Sequence, residues 1–240
     1  MRCDEAQPVR VTSPGRAPLP AGLPDVGVVV VLRTDDPGRL DEVADVLVDE
    51  GLPVMEVTMT VPGALDHVQR LRDRLSGSAT VGAGTITTAT DATRAIDAGA
   101  QLLVSPAACA DVCSAAAAHG VPCISGAFTA TELLMGWRAG ASAVKLFPAS
   151  LLRPEVVPAL AAPFPDVPLV PTGGVGIADV AAWLRAGAVA VGIGSPLLGD
   201  ALTGGGIEPL RHRARELRRQ IEEARDAAPV PMGDRTGRGR

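Results

Sequence analysis

Lysine is almost absent from this sequence. Of its 22 Lys and Arg residues only Lys145 is a lysine, and the other 21 are arginine. Cysteine is scarce too, with four in 240 residues. That excludes a disulfide framework and makes a reducing cytoplasm the expected compartment. No apolar run approaches the ~18 residues that span a bilayer, so no membrane association is expected. No long apolar stretch follows Met1-Arg2-Cys3-Asp4-Glu5, and no secretory signal peptide is expected. A basic surplus is missing as well. The net charge is −5 and the pI about 5.2, without the basic domain or stripe of a nucleic-acid binder. The three histidines, His67, His119 and His212, are scattered over helical stretches, and Cys109 and Cys113 have no partner pair. No metal site is therefore expected. There is no Gly-x-Ser-x-Gly elbow, which leaves a serine hydrolase unsupported. The pair Gly192 and Gly194 lacks the third glycine of a dinucleotide fingerprint, and no cofactor is expected.

What is present is a chain built to bury a core, 47% hydrophobic and 20% charged. Residues 1–24 and 229–240 are rich in Pro, Arg, Ala and Gly without periodicity, and read as a flexible arm and tail. Between them, residues 25–228 read as one domain. Short apolar runs are expected as strands at Val28–Leu32, Val54–Thr58, Ala79–Gly82, Leu102–Ser105, Cys123–Ser125, Ala143–Leu146, Leu169–Pro171 and Val189–Gly192. Their starts lie 20 to 26 residues apart, room for one strand, one helix and two short loops. Most are continuous apolar runs, as parallel strands covered on both faces should be. Helical periods fall at Leu40–Asp49, Leu65–Leu75, Ala89–Ala98, Asp111–His119, Thr131–Ala139 and Ile177–Ala186. Gly51, Gly99, Gly120, Gly140 and Gly187 follow five of the helices as stop signals. Eight evenly spaced βα units predict an α/β fold, a parallel eight-stranded (β/α)8 TIM barrel, over an open doubly wound sheet. A last charged helix, Ile207–Asp226, is expected outside the barrel or at its base.

Active sites in such barrels lie at the C-terminal strand ends. The sixth strand carries Lys145 inside Ala143-Val144-Lys145-Leu146. Its isolation is either compositional drift or a requirement for an amine that can lose its proton. Arginine cannot do so, whereas a buried lysine is expected to have a lowered pKa. Glu56 sits in the second strand between apolar neighbours. A carboxylate there is costly unless paired, so it is either outward and matched to an arginine or inside, near Lys145, as a general acid and base. Thr172-Gly173-Gly174 and Gly194-Ser195 close the seventh and eighth strands. These are either simple tight turns or a phosphate cradle of backbone N–H groups, frequent at those strands.

With these residues in place, the chain resembles the 2-keto-3-deoxy-6-phosphogluconate (KDPG) and 4-hydroxy-2-oxoglutarate (KHG) aldolase family, class I lyases. The carrying motifs run from about Val28 to Leu198: V-V-V-L-R ending at Arg33, M-E-V-T around Glu56, V-G-A-G-T ending at Thr85, V-S-P ending at Pro106, V-K-L-F-P-A around Lys145, P-T-G-G-V around Thr172 and G-I-G-S ending at Ser195. The resemblance implies a metal-free homotrimeric barrel of carbohydrate metabolism, of the Entner-Doudoroff type. It makes Lys145 the Schiff-base nucleophile and Glu56 the acid/base. It implies that Arg33 and Thr85 contact the keto-acid end and that Thr172 lies against the reacting carbons. Gly173, Gly174, Gly194 and Ser195 would hold the phosphate, and Thr60 and Pro106 would flank the substrate. Thr60 stands where some members have a carboxylate-gripping arginine. Ser125-Gly126-Ala127-Phe128 and Ala107 also depart from commoner family choices. These departures bear on substrate identity rather than chemistry.

The expected reaction splits KDPG into pyruvate and glyceraldehyde 3-phosphate. The galactonate epimer is the nearest alternative. A phosphosugar isomerase on the same barrel would need a pair of acid/base residues, and only one strand-borne carboxylate is found. A phosphate-binding barrel without catalysis is the non-enzymatic alternative.

Overall fold

A computed structural model describes residues 15–226. The expected strands form in sequence order: β1 (Val28–Leu32), β2 (Val54–Thr58), β3 (Thr80–Gly84), β4 (Leu103–Val104), β5 (Cys123–Ala127), β6 (Ala143–Leu146), β7 (Leu169–Pro171) and β8 (Val191–Ile193). All neighbours pair in parallel, in the order β7-β6-β5-β4-β3-β2-β1-β8. The seam between β7 and β8 is drawn together by a parallel bridge of Thr172 with Gly192 and by the Val189 N–H donating to Leu169 O at 3.0 Å. The result is a (β/α)8 barrel.

Helices alternate with the strands: α1 (Leu23–Val26), α2 (Leu40–Asp49), α3 (Ala64–Arg74), α4 (Ala89–Asp97), α5 (Ala110–Ala118), α6 (Ala130–Arg138), α7 (Val156–Ala161), α8 (Val180–Arg185), α9 (Ser195–Leu198) and α10 (Ile207–Asp226). Their starts follow the sequence chemistry. Thr88 Oγ1 accepts the Asp91 N–H at 3.0 Å to open α4, and Thr129 and Glu132 form a reciprocal capping box on α6. All five glycines expected as helix stops have positive φ, the backbone region glycine enters without penalty. The helix expected over Ile177–Ala186 opens instead as a 3-10 turn, Ile177–Asp179, before α8. Helix α7 was not expected because Pro154 and Pro158 flank and enter it. Pro158 falls in its first turn, where no backbone N–H is needed. Helix α10 lies outside the barrel against α2, α8 and α9. Among the described residues no helix is long and apolar enough to cross a membrane.

The core has two layers. The larger lies between strands and helices and includes the fully buried Leu40, Leu47, Leu71 and Leu103. The smaller fills the lower barrel interior, where Val29, Val54, Val104, Ile124, Ala143, Val170 and Ala190 meet Leu23 of α1. Leu23 is completely buried and closes the barrel's N-terminal end. Residues 15–24 are thus not part of a flexible arm. Arg16 stacks on Trp137 at 3.1 Å and donates to Trp137 O and Ala141 O at 2.7 Å each, while Ser142 Oγ donates to Ala17 O at 2.6 Å. A composition without periodicity hid a segment that is fixed by a few tertiary contacts. The rest of that arm and the tail at 229–240 lie outside the described residues.

Candidate active site

Strand alternation decides which side chains enter the barrel. On β2, Val54, Glu56 and Thr58 share a face, with Val54 in the interior layer, so Glu56 lies above it. On β6, Lys145 follows Ala143 on the same face. Both polar side chains are buried, Glu56 at 1% and Lys145 at 6% exposure. Lys145 Nζ stands 4.0 Å from Glu56 Oε1, and the outward arrangement considered for Glu56 does not occur. The ring of Phe147, two residues along β6's path, has its centroid 5.1 Å from Nζ. Burial pushes the Glu56 carboxyl above its ordinary range, opposed by the positive charges of Lys145 and Arg33. Its Oε2 has no hydrogen-bond partner among the described residues.

Glycines make room for this pair. A Cβ at Gly84 of β3 would fall 2.6 Å from the Glu56 carboxyl carbon. A Cβ at Gly192 would likewise fall 2.6 Å from Thr172 Cγ2, whereas the glycines in register with Glu56 and Lys145, Gly82 and Gly126, admit the backbone of Leu102 and Pro106.

Two spaces adjoin the pair and share Val31, Lys145, Thr172 and Gly192 in their walls. The larger, about 210 Å³, is lined by Arg33, Lys145, Phe147 and Thr172, and by the β7 and β8 loops from Gly173 to Val175 and from Gly194 to Pro196. The smaller, about 10 Å³, is bordered by Glu56, Lys145, Thr172 and Gly192 over an apolar floor. It is the size of about one water molecule. Gly173 and Gly174 both have positive φ, 85° and 80°, and their turn folds over Phe147 and Ser150. No turn or loop hydrogen bond among the described residues uses the N–H of Gly173, Gly174, Gly194 or Ser195. Backbone N–H groups at this rim can thus serve an anion.

Arg33 is exposed at the end of β1, and its Nη2 reaches Thr85 Oγ1 at 3.4 Å. Thr85 has φ 60°, the only non-glycine with positive φ among the described residues. For a β-branched residue that conformation costs about 1–3 kcal/mol, a cost found mostly at functional sites. Of the residues singled out by sequence, Thr60, Thr85 and Pro106 line neither space, and Thr85 is joined to the larger one only through Arg33. Thr60 is exposed and pairs with Thr58 Oγ1 at 2.8 Å, and Pro106 is half-buried with its backbone against Gly126. Phe147, Leu198, Leu202 and Thr203, which do line the larger space, were not anticipated. Phe147 was legible from alternation with Lys145. The others come from turns after β8 that carry no period. Among the described residues no group of three or more His, Cys, Asp or Glu is gathered as a metal site.

Chemically, the arrangement offers an amine and a carboxyl within reach of each other, sheltered from bulk water, below a rim of backbone N–H groups. Comparison with known proteins gives a consistent result. The family model for KDPG and KHG aldolase matches residues 21–206. A probable 2-dehydro-3-deoxy-6-phosphogalactonate aldolase of Rhizobium meliloti (strain 1021) is 31% identical over 193 residues, 80% of this chain and 90% of that one. The KHG/KDPG aldolase of Escherichia coli (strain K12) is 32% identical over 195 residues, again 80% of this chain and 90% of that one. The solved native KDPGal structure superposes with a TM-score of 0.78 at 28% identity, covering 83% of this chain and 96% of that one.

Proposed function

This chain belongs to the KDPG and KHG aldolase family, and from that premise we propose that it is a class I aldolase cleaving KDPG to pyruvate and glyceraldehyde 3-phosphate, with KHG as a second substrate. One observation carries this reading: the chain's single lysine is buried at the end of β6, 4.0 Å from the buried Glu56, and opens onto the 210 Å³ cavity. An amine in that place has one chemical use that arginine cannot supply, attack on a carbonyl.

The Lys145 amine adds to the 2-ketone. Loss of water from the adduct gives an iminium ion. Glu56, directly or through one water in the small space beside it, takes the proton from the 4-hydroxyl. The bond between carbons three and four breaks, the aldehyde leaves, and its bonding electrons enter the enamine. Protonation at carbon three and addition of water release pyruvate and restore the amine. A carboxyl with a raised pKa suits both halves, since it must accept and return a proton near neutral pH. Arg33 and Thr85 meet the keto-acid end, and Thr172 lies beside the reacting carbons. The amides of Gly173, Gly174, Gly194 and Ser195 hold the phosphate, so its binding contributes orientation away from the breaking bond.

Incubation with pyruvate, reduction with borohydride and mass mapping of tryptic peptides should place one label on Lys145. Absence of the label, or a label at another amine, overturns the reading. The epimer 2-keto-3-deoxy-6-phosphogalactonate is a second reading, favoured by the Rhizobium relative's name. Pyruvate release from both epimers and from KHG decides between them. A homotrimer is proposed from the family resemblance, with the exposed apolar side chains Phe128, Met135 and Leu151 as candidate contacts. Sedimentation analysis tests that. The free thiols of Cys109, Cys113 and Cys123 suit a reducing, cytoplasmic setting.

A further inference from the structure

The wall of the cavity after β8 is held from outside the barrel. Helix α9 is a single turn, with the N–H groups of Leu197 and Leu198 donating to Gly194 O at 2.9 and 3.0 Å and that of Gly199 to Ser195 O at 2.8 Å. One turn of helix is not stable by itself, and its last carbonyls have no partner within it. Arg213 of α10 supplies the partner. Its Nε donates to Leu197 O at 2.5 Å and its Nη2 to Leu198 O at 2.8 Å. The guanidinium base is itself fixed, because Leu210, Ala214 and Leu217 of α10 are fully buried. Gly199 completes the joint with φ 55°. A Cβ there would stand 2.6 Å from Arg213 Nη2, so any side chain would displace the fork. Leu198 and Gly199 line the cavity, and the same turn begins at Gly194 and Ser195.

We propose that Arg213 is a positioning residue for the phosphate end of the cavity. It touches no substrate. It fixes the turn that aims the Gly194 and Ser195 amides. The inference rests on the phosphate reading above, and it assigns a role to a residue beyond 206, where the family match ends.

The test compares KDPG, which carries the phosphate, with KHG, which does not, and uses inorganic phosphate as an inhibitor. In Arg213→Met, KM for KDPG and the inhibition constant for phosphate should each rise about tenfold, the effect of losing one charge-assisted hydrogen bond's worth of order. KM for KHG and both kcat values should stay within about twofold, since the reacting centre is not moved. Arg213→Lys keeps the charge without the two-pronged fork and should fall between. It carries the same comparison if the methionine variant does not fold. Equal KM rises for both substrates would mean a merely structural role and overturn the inference, as would no rise at all. Failure of the underlying reading shows in the unmodified enzyme alone, as no KM advantage for KDPG and no inhibition by phosphate, and it takes the inference with it.

Discussion

Gly84→Ala adds one carbon at the point where the site is tightest. The new Cβ would lie 2.6 Å from both the carboxyl carbon and Oε2 of Glu56, and 2.9 Å from Oε1. Non-bonded carbons settle roughly 3.5–4.0 Å apart, so the carboxylate must retreat by about 1 Å. The backbone itself is indifferent, because Gly84 is not among the glycines with positive φ. The fold therefore bears only an overpacking cost of about 1–3 kcal/mol, softened because the clash falls on the end of a side chain. Catalysis bears more. A displacement of about 1 Å in a proton-transfer group costs on the order of 100-fold in rate. The assay is steady-state pyruvate release coupled to lactate dehydrogenase, with a melting curve on the same preparation. Borohydride trapping of pyruvate on Lys145 should persist, because the added methyl meets Glu56 and not the amine. A folded Gly84→Ala enzyme with kcat within about threefold of wild type, far below the usual share of general acid–base catalysis, would refute the placement of Glu56 in the mechanism.

The same geometry sets three further expectations. Lys145→Arg should fold and lose turnover, and activity above roughly a hundredth of wild type would remove the imine from the mechanism, since a guanidinium cannot form one. Glu56→Gln should lose about 10²- to 10⁴-fold in kcat with imine trapping retained, measured by the same coupled assay. Stability should move the other way with pH. Burial holds the Glu56 carboxyl above its ordinary 4.5, so the native chain keeps this proton where the unfolded chain has lost it. Its contribution is complete below the unfolded value and disappears as pH climbs through the raised one. Glu56→Gln should then melt above wild type in mildly alkaline buffer, by a margin that widens as pH rises through the raised value. The difference should close below pH 4.5. A wild-type enzyme that melts higher than the variant in alkali would reverse the assigned direction.

The barrel was legible because its units repeat. A buried strand and an amphipathic helix each announce themselves over several residues, and a glycine with positive φ ended each of five helices. Elements that depend on one or two tertiary contacts did not announce themselves. Leu19 and Leu23 are isolated in a Pro-rich stretch without periodicity, yet Leu23 closes the barrel floor and Leu19 packs beside it. Helix α9 is one turn, held by Arg213 from another helix. The site followed the same division. Lys145 and Glu56 stood out as polar groups in apolar strands, and the structure brings them together. Thr60, Thr85 and Pro106 entered by motif position alone, and they line neither space. Their residue types say nothing about which way a loop turns.

The glycines of the strands carry a second meaning. A closed barrel of eight strands has an interior fixed by strand number and tilt, just filled by side chains. In the lower layer that space goes to Val29, Val54, Val104, Ile124 and their neighbours. In the upper layer it goes to Glu56, Lys145 and Thr172, and two of these lie against glycines whose Cβ would clash with them, Gly84 against Glu56 and Gly192 against Thr172. The bulk of a reactive side chain on one strand is thus balanced by a missing side chain on the next. Glycine also weakens a strand by roughly 0.5–1 kcal/mol relative to alanine, so the arrangement carries a stability cost at both positions. What offsets it is a pocket in which a carboxyl, an amine and a space for one water fit together without mutual clash. The glycines of β3 and β8 thus differ in use from those of the loops. Within the strand these glycines allot volume, and past the strand end Gly173, Gly174 and Gly194 offer backbone N–H groups.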